Sequence, residues 1–392
     1  MIIAVNYSIW WLPVVHHTDA WWVPGDFWHT YFATSAFAHG HWGAVYEARN
    51  GIITFPGLLV LLSPAVALAQ ALHLSVGMPY TPVSTPTAWL VLEPFDLLAG
   101  CCVLFSVDAV ARRLDVLESR RAILAVAELV AMWDLLVNNW HPEDAFAVAF
   151  ALWALLAAFD GRWRRCGWLL GVAIAFQPLV LLAVAAVAAI APRKKAVSLV
   201  IRAVAPATTL LAGPLLSSPS ITLRALIDQP SSPLLNHPTP WMHFAPHLGG
   251  GAVAGGPARS VAVIVAVTVS FVVCRRTDRP DVVLWIVAAC LATRCFFEAV
   301  MVSYYIWPAL AMALVLAARA TWTRFVAVCV FSSFATIFAL HNWRGEWTWW
   351  LVIVVCIAAA LVAAYPQQRV TRHADKSKMQ VSSPLSVADA VR

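Results

Sequence analysis

Long apolar stretches, each about 20 residues, alternate along this chain with short connections that are basic or polar in turn. The stretches cover 89–110, 122–139, 144–160, 166–191, 258–274, 281–297, 304–318 and 325–341, with shorter apolar runs near both ends. They are too long for barrel strands and lack a period of two, so helices are predicted. The hydrophobic share is 61% and only 12% of the 392 residues are charged, where a soluble domain carries about 25%. An all-α, polytopic transmembrane bundle of about 10–12 membrane segments is expected.

The basic residues orient the segments. Arg112 and Arg113, Arg120 and Arg121, Arg162 with Arg164 and Arg165, Arg193 with Lys194 and Lys195, Arg275 with Arg276 and Arg279, and Arg319 with Arg324 all fall in short connections. The positive-inside rule puts these connections in the cytoplasm, together with the tail that carries Arg369, Arg372, Lys376 and Lys378. The loops 16–88, 139–143, 217–257, 298–303 and 342–347 then lie outside. One run conflicts with alternation, because 166–191 has basic clusters at both ends. A break at Gln177-Pro178 resolves it, giving half-helices 166–176 and 179–191 that enter and leave on the cytoplasmic side. Residues 28–46 and 52–75 are read as helices lying on or dipping into the outer leaflet. Residues 1–365 form one domain, and 366–392 a disordered cytoplasmic tail.

The segment Met1–Val15 is apolar but has neither a basic start nor a small-residue cleavage site, so it is not read as a signal peptide. At ~22 Å it is short for a core of ~30 Å. Either it thins the bilayer locally or the true start lies upstream. Of the 20 Trp residues, many stand at segment ends, where they anchor at the interface or stack on a sugar or lipid. The eight cysteines lie in or beside apolar runs without CxxC spacing, which supports neither a zinc site nor a disulfide framework. No basic stretch interleaves with aromatics, so nucleic acid is not an expected partner; membrane lipids are.

Ionisable groups in a bilayer cost several kcal/mol and mark function. Here Asp19, Asp26, Glu93, Asp96, Asp134, Glu143, Asp144, Arg294 and Glu298 gather toward the outer face. Bland roles compete: Arg294 and Glu298 are spaced to pair with each other, Glu143 and Asp144 suit a helix start, and Asp26 suits a helix cap. Glu128 and Asp108 read as structural. No P-loop, dinucleotide glycine pattern, GxSxG or HExxH is present.

Three passages carry a family resemblance. Gly25-Asp26-Phe27-Trp28-His29-Thr30-Tyr31 is followed by Gly40, Val45-Tyr46 and Thr54-Phe55-Pro56; Trp140-His141-Pro142-Glu143-Asp144 opens a helix; and the Gly-rich stretch Gly167 to Phe176 ends in Gln177-Pro178. The chain resembles GT-C-type integral membrane glycosyltransferases, most closely the bacterial polyprenyl-phosphate-mannose-dependent mannosyltransferases. It departs in two places: Gln177 stands where many relatives have Lys, and the first span is short.

The resemblance implies inverting transfer of a sugar, mannose foremost, from a polyprenyl-phosphate donor to a glycan or glycolipid acceptor of the cell envelope. The site would face outward from the bacterial plasma membrane. Asp26 is then the catalytic base, with Asp19 in reserve. His141, Gln177, Arg294 and His243 become candidates for the leaving phosphate, and Asp134, Glu143, Asp144 and Tyr304 for the sugar. No cofactor is expected and no clear metal-ligand set appears, although several carboxylates could hold a divalent ion. The alternatives are a transporter or flippase of lipid-linked or small polar substrates, which also uses half-helices and intramembrane carboxylates, and a non-catalytic partner in envelope assembly.

Overall fold

The computed structural model describes residues 24–47, 50–77, 87–340 and 347–367. The apolar segment Met1–Val15, Asp19 and the tail from 368 onward lie outside the described residues. The chain is a polytopic bundle of transmembrane helices, as the apolar runs require. The helices are α1 (Gly25–Ala38), α2 (Gly57–Ala71), α3 (Trp89–Arg113), α4 (Glu118–Trp133), α5 (Pro142–Phe159), α6 (Trp163–Phe176) and α7 (Leu181–Ile190). Then come α8 (Arg193–Ser217), α9 (Pro219–Asp228), α10 (Gly256–Cys274), α11 (Pro280–Phe297), α12 (Trp307–Ala317), α13 (Trp322–Ala339) and α14 (Thr348–Ala364). Among the described residues, six of these (α3, α5, α8, α10, α11 and α13) are long and apolar enough to cross a membrane. Four shorter apolar helices accompany them.

The basic connections meet at one end. Arg113 pairs with Asp160 at 3.5 Å, joining the ends of α3 and α5. Arg120 donates to the carbonyls of Ala318 and Ala320 beyond α12. Arg279 and Arg319 share Asp281, at 2.8 and 3.1 Å.

The run 166–191 does break at Gln177, whose backbone is extended (φ −145°, ψ 118°). α6 ends before it, and a short 3-10 turn, Pro178–Val180, leads into α7. Gly167 lies against Leu199 and Arg202, while Gly171 lies against Arg202 and Pro206. Both helices advance together in this contact, so α6 and α8 run parallel and both start at the basic end. The segment between them therefore rises to Gln177 and returns. A cavity lined by Arg162, Arg164, Arg165 and Lys195 shows both basic clusters on that same side.

The segment before α3 differs in detail from the expected 28–46 helix. α1 stops at Ala38 because Gly40 takes a left-handed conformation (φ 74°), which lets His41 N–H close on the Ala36 carbonyl at 2.9 Å. The long loop 217–257 is ordered rather than free. It forms α9, then strand β1 (His237–Pro238) pairs antiparallel with β2 (Val300–Met301). Thr239 donates to the Glu298 carbonyl at 2.6 Å and the Trp241 indole to the Phe296 carbonyl at 2.6 Å. These bonds stitch the loop over the end of α11.

Candidate functional site

The site forms at the end of the bundle opposite the basic connections, and it begins with a local irregularity. Helix α4 does not end at Trp133 but widens into a π-type turn, Asp134–Asn138. Asn138 and Asn139 both donate to Asp134 Oδ1 at 3.0 Å, and Asn139 also donates to the Asp134 carbonyl at 2.9 Å. These side-chain bonds satisfy the groups that the loosened turn frees. Trp140 then adopts φ 54°, a left-handed conformation that costs a non-glycine residue about 1–3 kcal/mol. Its buried ring meets Phe27 edge-on at 4.8 Å, and Phe27 stacks on Trp89 at 5.3 Å. This aromatic packing supports the strained residue, and the reversal it makes aims His141 back across the bundle.

His141 is buried and bridges two carboxylates. Its Nε2 lies 2.8 Å from Asp26 Oδ2 and its Nδ1 lies 2.6 Å from Glu143 Oε1. Ionised carboxylates only accept, so both ring nitrogens donate and the ring is a cation in this arrangement. Enclosure in protein works against that charge, but Glu143 and Asp26 outweigh it and hold the imidazole well above its usual range. Enclosure likewise favours a protonated Asp26, yet His141 and more weakly His29 hold that carboxyl below the usual range. The His141 ring also stacks on Tyr304, with centroids 4.1 Å apart.

Asp26 is not a helix cap. Pro24 takes the cap position of α1, and Asp26 lies inside the first turn. Its side chain is 47% exposed, whereas those of Glu143 and Asp144 are 5% and 3% exposed. It faces a cavity of about 70 Å³ together with His29, Thr54, His141, Glu143, Gln177, Gln229, Arg294, Tyr304 and Tyr305. Gln177 donates to Asp144 Oδ1 at 3.1 Å, so the break between α6 and α7 is tied to the start of α5. Arg294 lies 3.5 Å above the Tyr305 ring. Its Nε is 3.5 Å from Glu298, the partner expected from their spacing, and Arg259 binds the other oxygen of the same carboxylate. Two guanidinium groups thus share one carboxylate.

Among the expected site residues, Asp26, His141, Glu143, Gln177, Arg294 and Tyr304 come together around one cavity, with Asp144 directly beneath. Asp134 is buried behind them and serves the π-type turn. His243 does not join: the loop bonds at Thr239 and Trp241 carry it to Trp347, whose ring meets it edge-on at 5.8 Å. Tyr305, His29 and Gln229 were not foreseen. The sequence shows no clear metal-ligand set, only carboxylates that could hold a divalent ion; in the structure His141, Glu143 and Asp144 each offer a ligand atom, all within 4.8 Å of one another.

Beside this cavity, and sharing Gln177, Gln229 and Arg294 with it, runs a groove of about 160 Å³. Leu179, Leu181, Leu182, Val263 and Phe297 make its walls apolar, and Arg259 and Arg294 stand at its polar end. Comparison with protein-family models, curated proteins and solved structures finds no match to this chain. Fold and site together define a multi-pass helical membrane protein with a buried carboxylate–histidine cluster at one end of the bundle.

Proposed function

We propose that this protein is a GT-C-type glycosyltransferase of the bacterial plasma membrane. It moves a sugar, mannose foremost, from a polyprenyl-phosphate donor to an envelope glycan or glycolipid at the outer face. The observation that carries the reading is the junction of two unlike spaces. A polar cavity with one accessible carboxylate, Asp26, opens beside an apolar groove headed by Arg259 and Arg294. An amphiphile with a long hydrocarbon tail, a phosphate and a sugar fits that sequence of surfaces. The basic connections at the opposite end support an outward-facing cavity under the positive-inside rule.

In this reading the acceptor hydroxyl attacks the anomeric carbon from the face opposite the phosphate. Its proton passes to Asp26 as the new glycosidic bond forms and the bond from carbon to phosphate oxygen breaks. The His141 N–H holds Asp26 in place and ionised. The leaving phosphate keeps the bonding electrons, and Arg294 with the second amide hydrogen of Gln177 meets its charge.

Incubating the purified protein with a labelled polyprenyl-phosphate mannose and an envelope glycolipid tests the reading. Label should move to the acceptor. A labelled donor that changes leaflet in reconstituted vesicles while its sugar stays attached would replace the reading with that of a flippase.

A further inference from the structure

We infer that His141, Glu143 and Asp144 form a binding site for one divalent cation of the Mn²⁺ or Zn²⁺ type. Two observations converge on it. First, Asp144 Oδ2 is buried, has no hydrogen-bond partner among the described residues, and points at His141 Nδ1 from 3.9 Å. That distance is too long for a hydrogen bond. Two ligand atoms that each sit ~2.1 Å from a shared cation lie ~3.0–4.2 Å apart, so it suits a cation between them.

Second, the Glu143 carboxylate supplies one oxygen 2.6 Å from the same Nδ1 and a second oxygen, Oε2, that is buried without a partner among the described residues. A small rotation lets either oxygen complete a three-ligand face.

The ligand set selects the ion. One imidazole nitrogen with two carboxylates suits Mn²⁺ or Zn²⁺ better than Mg²⁺, which prefers oxygen and keeps its waters. Asp26 would accept the remaining Nε2–H and orient the ring, as carboxylates commonly do behind a metal-bound histidine.

The test is a titration of the purified full-length chain with Mn²⁺, read from the electron paramagnetic resonance of free Mn²⁺. It needs no donor lipid, so its outcome is separate from that of the transferase assay. One Mn²⁺ per chain should disappear from the free signal, and Zn²⁺ should displace it where Mg²⁺ does not. Asp144→Asn and Glu143→Gln should each weaken uptake at least ~10-fold. Melting curves identify any variant that fails to fold, and Asp144→Asn, which keeps size and the Gln177 contact, decides the matter alone if the other fails. No uptake by the wild-type chain, or undiminished uptake by folded Asp144→Asn, would overturn the site.

Discussion

Gln177 shows how one side chain links the two spaces of the site. One amide hydrogen is engaged by Asp144 at 3.1 Å, which leaves the other for the cavity and the groove that Gln177 also lines. Gln177→Lys should retain or raise transferase turnover, because a cation can pair with Asp144 and face phosphate. Gln177→Leu removes both bonds and should lower turnover roughly 10- to 100-fold, the worth of a hydrogen bond to a charged group. Steady-state assays of both variants would show it; equal rates would take Gln177 out of the chemistry. Gln177, His141 and Arg294 could be read from sequence because each interrupts or ends an apolar segment, where a polar group needs a reason; Asp26 lies in a loop, and its role is implied by the family resemblance. Tyr305 could not. An aromatic beside an apolar run reads as an interface anchor, and only the packed bundle slides it under Arg294. His243 stands apart from the cavity for the converse reason: nothing in a Pro-rich loop announces that β1 will pair with β2 and draw the histidine to Trp347.

Helix pairs hold these residues in register. α6 and α8 approach so closely at Gly171 that an added Cβ would stand 2.5 Å from the Arg202 carbonyl and 2.7 Å from the Pro206 ring. Gly171→Ala should therefore destabilise by about 1–3 kcal/mol, as overpacking does. Gly249→Ala, where nothing lies within 4 Å, should change little. Thermal melts of the two proteins in one detergent would compare them, and equal midpoints would contradict the close contact. The break between α6 and α7 was legible because basic clusters at both ends of one apolar run demand a return. The π-type turn before Trp140 was not, since a helix and its widened turn share the same apolar pattern. Their difference rests on where Asn138 and Asn139 send their amides.

At the scale of the whole molecule, two unlike ends define the protein: one rich in arginine, one in carboxylates. Cysteines placed at Arg164 and Lys194 should label from the same side of sealed vesicles, and a cysteine at Trp28, close to Asp26, from the other. Labelling of positions 164 and 194 from opposite sides would break the half-helix arrangement. The bundle was legible from hydropathy, but how many segments cross in full was not. Among the described residues six helices are long and apolar enough to cross and four apolar ones are shorter, the Gln177-Pro178 break accounting for one of the short ones. The central claim is that Asp26 takes the acceptor's proton during sugar transfer. The most direct measurement compares transfer from labelled polyprenyl-phosphate mannose by wild type and Asp26→Asn, matched for yield and melting behaviour. Asn keeps the shape and still reaches His141 but cannot take up a proton at neutral pH. Turnover should fall by roughly 10²–10⁴-fold, with folding intact. Full activity in that variant would contradict the account.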